Sequence, residues 1–240
     1  MSSCLDLTGR VAVVIGATSG LGQAIALGLA KHGAEVVPAG RRSPEWTADV
    51  TKRESLEALR DAVLAKFGHL DVLVNAAGYT SRKPTEQVSD EEWSDMFDTN
   101  LAGLVRACQV FYPALKASGK GRIINIASLG SFVAFHEVTA YCASKTAVIS
   151  VTRSLACEWA KDGICVNAIA PGVFPTELNG NLILGTERGK ELLMRTPMGR
   201  FGDAEELVGA AVLFASDAAS FLTGQCLAVD GGFLASGVNQ

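Results

Sequence analysis

Apolar positions along this chain fall into short runs and longer periodic stretches, and the two alternate. The short runs are Arg10–Ile15, Glu35–Ala39, Leu70–Val74, Arg122–Ile126, Ile164–Ile169 and Gln225–Val229, and they read as strands covered on both faces. Between them lie stretches with helical periodicity. One is Leu21–Lys31, ending near Gly33. Another runs from the Thr51 and Glu54 pair to about Phe67, and a third from the Ser89 and Glu92 pair through Leu115. Val138–Lys161 follows, and the last opens at Asp203 and Glu206 and runs to about Ala215. Thr51 with Glu54, and Ser89 with Glu92, are spaced as capping boxes, in which a hydroxyl and a carboxylate each satisfy a free amide of the first turn.

Strands separated by helices imply right-handed crossovers and a parallel sheet with helices on both faces. No repeat, linker or low-complexity tract interrupts the alternation, so residues 1–240 read as one α/β domain.

Composition narrows the picture further. Of 240 residues, 48% are hydrophobic and 19% charged, enough to build a large core and too apolar for a disordered chain. A net charge of −4 without a basic block argues against nucleic-acid binding. The longest apolar runs, such as Val11–Ile15, are too short to span a membrane. The start, Met1-Ser2-Ser3-Cys4-Leu5-Asp6, shows no export signal. The six cysteines (Cys4, Cys108, Cys142, Cys157, Cys165, Cys226) include no Cys-x-x-Cys pair. They read as free thiols in a cytoplasmic protein, and with only His32, His69 and His136 beside them no metal site is expected.

Two constellations carry chemistry. Gly16-Ala17-Thr18-Ser19-Gly20-Leu21-Gly22 joins the first strand to the first helix. Glycines there let the backbone turn sharply, and the amides of a helix N-terminus suit a pyrophosphate. Tyr141 and Lys145 lie four residues apart in a helix, hence on one face. An ammonium beside a phenol is expected to favour phenolate and to move the tyrosine towards the range where it exchanges protons efficiently.

Together with Asn75-Ala76-Ala77-Gly78, Asn100, Ser128, Pro171-Gly172-Val173-Phe174-Pro175-Thr176 and Val229-Asp230-Gly231-Gly232, in this order and spacing, these motifs resemble the short-chain dehydrogenase/reductase family over nearly the whole chain. The resemblance implies a Rossmann-like, doubly wound sheet and a nicotinamide cofactor. It implies that Tyr141 exchanges a proton with the substrate oxygen and that Ser128 hydrogen-bonds that oxygen. Lys145 would lower the tyrosine pKa and hold the nicotinamide ribose, and Asn100 would hold a water relaying protons to Lys145. For the cofactor it implies Gly16, Thr18, Ser19, Gly20, Leu21, Gly22, Asp49, Val50, Asn75, Ala76, Ala77, Gly78, Tyr141, Lys145, Pro171, Gly172, Val173 and Thr176. The Val173 backbone would meet the carboxamide.

The chain departs from the family pattern in two places. Ile15 replaces the usual threonine before the first glycine. After Gly40-Arg41-Arg42, six residues (Ser43–Ala48) replace a helix and a strand before Asp49-Val50, too few for a helical crossover. A shortened third, edge strand region is therefore expected. Arg41 and Arg42, with no carboxylate in the place that would bind a ribose 2′-hydroxyl, favour NADP over NAD.

The Arg195–Arg200 stretch and the tail Gly232–Val238 look like those of gluconate 5-dehydrogenase-type members, implying interconversion of a secondary alcohol and a ketone on a sugar acid or polyol. Arg82 and Lys83, or alternatively Arg188 and Arg195, are candidates for a substrate carboxylate. A 3-oxoacyl thioester reductase is the alternative enzyme, and a non-catalytic nucleotide-binding sensor or scaffold the alternative of another class. The family's habit implies a homotetramer, with the tail around Phe233 and Leu234 covered by a neighbouring subunit.

Overall fold

Successive residues of the first strand point to opposite faces of the sheet, and this split organises the molecule. The computed structural model describes residues 4–176 and 180–237; Met1–Ser3 of the start and Val238 of the tail lie outside them. In chain order it contains β1 (Val11–Ile15), α1 (Gly20–Lys31), β2 (Glu35–Ala39), α2 (Arg53–Phe67), β3 (Val72–Asn75) and α3 (Asp90–Phe97). A π-helical turn (Asp98–Ala102), α4 (Gly103–Ser118), β4 (Arg122–Ile126) and α5 (Thr139–Trp159) follow. The chain then forms β5 (Cys165–Pro171), α6 (Gly180–Ile183), α7 (Glu187–Met194), α8 (Val208–Ala215) and β6 (Cys226–Val229).

The six strands are all parallel, in the order β2-β1-β3-β4-β5-β6. Val11, Val13 and Ile15 of β1 join Leu56 and Leu59 of α2, Phe111 of α4 and Val148 of α5 in one core layer. Ala12 and Val14 face the other way, into Ile25 and Leu29 of α1 and Ala211 and Phe214 of α8. Covering both faces is why every residue of β1, β3 and β4 is buried and why those runs lack polar alternation. The chain leaves β1 for β2 on one side and returns to β3 on the other. The turns after β1 and β3 thus flank the point where strand order reverses, the usual place for a ligand in such sheets.

The shortened edge is present. Beyond β2 a single parallel bridge, Gly40 with Thr47, replaces a strand. The Gly40 amide donates to the Trp46 carbonyl (3.1 Å), and the Ala48 amide to the Gly40 carbonyl (3.2 Å). Trp46 is 8% exposed and closes the core at this edge, its ring 6.4 Å from that of Phe67. The Lys66 ammonium lies over the Trp46 ring, 4.9 Å from its centre, and pairs with Glu45 at 3.0 Å. Pro38, exposed on β2, removes a ladder donor from the edge strand.

One expected cap is not made. Helix α2 starts at Arg53, after Lys52, rather than on a Thr51–Glu54 box. The Thr51 hydroxyl and amide both donate to Asp49 Oδ1 instead, at 2.7 and 3.0 Å. The Ser89–Glu92 box forms as expected. The helix it opens is split at the π turn into α3 and α4, a feature that hydrophobic period does not reveal. Helices α6 and α7 were not expected at all.

Trp46 is a large ring at a site that a short loop cannot refill. Trp46→Ala should therefore cost about 3–5 kcal/mol, the usual loss for a buried aromatic side chain. Urea denaturation followed by circular dichroism measures it; a loss below about 1 kcal/mol would show that the edge does not depend on this ring.

Candidate active site

The turn after β1 and the turn after β3 are in contact, and only glycine permits it. Gly16 has φ +94°, and a β-carbon there would lie 2.6 Å from the Ala77 amide nitrogen. One on Gly22 would lie 2.3 Å from the Gly16 carbonyl oxygen. Ser19 takes the N-cap position of α1 without capping it, and the first turn holds no acidic residue. The Ser19 hydroxyl accepts instead from Arg42 Nη2 at 3.3 Å. The first amides of α1 are thus left for an outside anion, with Arg42 beside them. The Thr18 methyl packs on Gly40, and the Thr176 methyl comes over Gly20 from the loop after β5. Leu21 packs beside the α1–α8 layer.

Other expected cofactor residues are placed less uniformly. Exposed Arg41 lies near Asp49. Partial burial opposes the Asp49 charge, but Thr51 with Lys52 and Arg41 holds its carboxyl below the ordinary range. Val50 is buried against Gly103, and its carbonyl accepts from Arg106. The Asn75 side chain turns into the core, donating to Asn125 Oδ1 at 2.9 Å and to the Cys108 sulfur. That leaves Ala76, Ala77 and Gly78 to carry the turn. Pro171 ends β5, the Gly172 amide donates to the Val229 carbonyl at 2.8 Å, and Val173 continues into the cavity described below.

The four candidate catalytic residues converge. Asn100, fully buried in the π turn, clamps the backbone of Tyr79. Its Oδ1 accepts from the Tyr79 amide (3.0 Å), and its Nδ2 donates to the Tyr79 carbonyl (2.9 Å) and to Ser144 Oγ (3.2 Å). Lys145 donates to the Ile126 carbonyl at 2.8 Å, at the end of β4. A β-carbon on Gly78 would sit 3.0 Å from Asn100 Oδ1 and 3.4 Å from Lys145 Nζ, so the lack of a side chain there keeps the approach to Lys145 open. Tyr141, in the first turn of α5, lies beside Ser128 on the wall of one cavity, and Lys145 Nζ lies 5.9 Å from the tyrosine ring centre. Ser128 also caps the short turn that follows it, accepting from the Gly130 amide at 3.1 Å.

The electrostatics differ from the expected lowering of the tyrosine. Burial pushes the Tyr141 phenol up, with the Ser128 side chain acting against it. Burial also pushes Lys145 down to about 8, because an ammonium out of water is costly even with a carbonyl beneath it.

Ser128 and Tyr141 open onto a cavity of about 170 Å³, whose walls include Leu129 and Phe135 and two guanidinium groups, Arg82 and Arg188. Of the four candidate carboxylate readers, these two reach it. Lys83 turns away to Glu92 at 2.7 Å, and Arg195 pairs with Glu191 at 3.5 Å on the surface. Phe233 also closes on this region from within its own chain, 6.0 Å from the Phe135 ring and only 8% exposed, so it does not await a neighbouring subunit.

The family model described as enoyl-(acyl carrier protein) reductase matches residues 16–234. The chain belongs to the short-chain dehydrogenase/reductase family. It is accordingly an oxidoreductase. It is 41% identical to the 2-dehydro-3-deoxy-D-gluconate 5-dehydrogenase of Escherichia coli, over 97% of this chain and 98% of that one. It is 37% identical to the gluconate 5-dehydrogenase of Gluconobacter oxydans, over 96% and 97%. Among solved structures, a gluconate 5-dehydrogenase from Burkholderia cenocepacia in complex with NADP and tartrate superposes with a TM-score of 0.91 at 36% identity, covering 97% of this chain and 98% of that one.

Sequence reasoning missed two features of this dehydrogenase site. The core network Asn75–Asn125–Thr152 lacks a motif; Asn125 donates to Thr152 Oγ1 at 2.9 Å. Glu137, with φ +65°, pairs with Arg82 at 2.6 Å, and only its place four residues before Tyr141 offered a signal.

A lysine with a folded pKa near 8 holds fewer protons than the unfolded chain up to pH 10.5, so stability rises with pH across that window. The raised tyrosine acts in the opposite sense only above pH 10. Without cofactor, the parent should gain about 2 kcal/mol over a Lys145→Met variant between about pH 7.5 and 9.5, a difference read from paired urea titrations. Parallel pH profiles would show that Lys145 is not held down in the folded protein.

Proposed function

We propose that this short-chain dehydrogenase/reductase is an NADP-dependent dehydrogenase of a sugar acid or polyol, interconverting a secondary alcohol and a ketone, with NAD as the weaker cofactor. The observation that carries the reading is that Ser128 and Tyr141 open together onto a cavity that also presents Arg82 and Arg188. A 3-oxoacyl thioester has no carboxylate for those guanidinium groups. A sensor or scaffold would have no use for a tyrosine, a lysine and an asparagine held this closely.

The residues fit a dinucleotide. The uncapped N-terminus of α1 and Gly16–Gly22 suit its pyrophosphate, Arg41 and Arg42 a 2′-phosphate, and the open side of Gly78 a ribose beside Lys145. Asp49 and Val50 are assigned to the adenine, Ala76 and Ala77 to the adenosine side, and Pro171, Gly172, Val173 and Thr176 to the carboxamide end. When bound, the nicotinamide accepts or supplies the hydride.

The chain's own residues manage the proton. Ser128 holds the substrate oxygen by a hydrogen bond, and Tyr141 gives that oxygen a proton in reduction or takes one in oxidation. Lys145, one turn below, favours phenolate when charged and passes protons towards Asn100 and water. Burial raises the phenol and lowers the lysine, so a charged Lys145 is what draws Tyr141 back towards its working range.

We further propose a cytoplasmic homotetramer. Exposed Trp93, Phe132, Val133, Phe221, Leu222 and Leu227 supply apolar surface for subunit contacts, and the cysteines are unpaired. Among the described residues no helix is long and apolar enough to cross a membrane. Sedimentation equilibrium at micromolar concentration should return four chains; a stable monomer would reject the assembly.

Tyr141→Phe should lower turnover about 10²–10⁴-fold while cofactor affinity stays near that of the parent. Absorbance of the reduced nicotinamide with sugar acids as substrates reads the first, and fluorescence titration the second. Near-normal turnover would leave the proton assignment without support. Replacing Arg41 and Arg42 together by Ser should weaken NADP binding about tenfold to a hundredfold, for a lost charge-assisted contact of about 1.5–3 kcal/mol, and spare NAD. Equal losses for the two cofactors would argue against a 2′-phosphate contact.

A further inference from the structure

The two guanidinium groups of the cavity are not equivalent. Arg82 already has an anion: its Nε meets Glu137 Oε2 at 2.6 Å. Arg188, half-buried on α7, donates to the His136 carbonyl at 3.2 Å and makes no ion pair within 4 Å among the described residues. Its positive charge reaches the Cys142 thiol, the residue after Tyr141, so it stands near the reacting end of the pocket. The like charge of Arg82 opposes it, and Glu137 and Glu191 offset the opposition; Glu191 is already paired with Arg195 at 3.5 Å, which leaves Arg82, Glu137 and Arg188 as the charged groups at this wall of the cavity.

Glu137 also holds an unusual backbone. It is the one non-glycine residue with positive φ among the described residues, at +65°, a conformation that costs a side-chain-bearing residue energy and persists only where the surroundings enforce it. The Lys83 amide, donating to the Glu137 carbonyl at 2.8 Å, fastens the loop in that shape. The strained turn delivers the carboxylate to Arg82, immediately before the helix that carries Tyr141.

We infer that Arg188 is the residue that grips a substrate carboxylate, and that Glu137 sets the pocket for a single carboxylate by neutralising Arg82. Two guanidinium groups and one carboxylate leave one net positive charge facing the cavity, which matches a monoanionic sugar acid better than a neutral polyol or a dianionic sugar diacid. A buried cation without a counter-ion is costly and a second anion without a partner equally so; charge matching therefore selects in both directions. The inference rests on the sugar-acid reading above and assigns its specificity to named side chains.

The test uses three ligands with one six-carbon skeleton and different charge: D-glucitol, D-gluconate and D-glucarate. Each is titrated by calorimetry into enzyme loaded with NADPH, a state in which these alcohols bind without turning over. The parent should bind gluconate more tightly than either of the others. Arg188→Gln should weaken gluconate at least about tenfold while glucitol stays within about threefold, and Arg188→Lys should restore part of the loss, since it keeps the charge but not the planar fork. Glu137→Gln, by releasing Arg82, should strengthen glucarate about tenfold relative to gluconate and leave glucitol unchanged. Equal losses for all three ligands in Arg188→Gln, or no loss for any, would overturn the assignment of Arg188. An unchanged glucarate-to-gluconate ratio in Glu137→Gln would overturn the role of Glu137. Failure of the parent to bind gluconate, with glucitol bound and oxidised in the presence of NADP, would instead remove the sugar-acid reading itself, and this inference with it.

Discussion

A lysine ammonium buried at the end of a parallel strand is the constraint around which this site is built. Such a charge needs an acceptor that water would otherwise supply, and the Ile126 carbonyl provides it because β4 stops pairing there. Access to the same nitrogen from the cofactor side requires a residue without a side chain at Gly78, and the strand bearing that turn must lie beside β4. The depth of Lys145 then sets the height of Tyr141 one helical turn above it, and so the floor of the substrate cavity. Moving any one of these parts exposes the ammonium or strands it.

Much of this architecture was legible in the chain because it rests on local rules. All six strands were anticipated to within two residues at each end, since short apolar runs bounded by turn residues stand out between the longer helical stretches. The Ser89–Glu92 box followed from spacing alone. The Thr51–Glu54 box did not survive, because Asp49 competes for the threonine hydroxyl, and a spacing rule cannot see which acceptor is nearer. Helices α6 and α7 were missed for a related reason: they are short, and their one buried face is decided by the cavity they close.

At the site the boundary falls between motif and environment. Asn100, Ser128, Tyr141 and Lys145 were identified by order and spacing, and the fold brings them together. Their proton affinities were not readable in the same way. A neighbouring ammonium was expected to draw the phenol down, yet the burial that brings the two together also weakens the ammonium's own hold on its proton. The choice among Arg82, Lys83, Arg188 and Arg195 likewise needed three dimensions. Lys83 and Arg195 each find a carboxylate on the surface, and that fact removes them from the pocket.

The π turn at Asp98–Ala102 has a consequence for how this helix can change length. A π turn accommodates one more residue than an α turn, so the segments before and after it are out of phase by one position, about 100° around the axis. Loss of one residue between Ser89 and Asn100 could heal the helix into regular α geometry, but Asn100 would rotate away from Tyr79 and Ser144. Single-residue insertions and deletions in this segment are thus barred by angular registry rather than by packing volume, whereas the loop at Gly40–Asp49 has no such clock to keep.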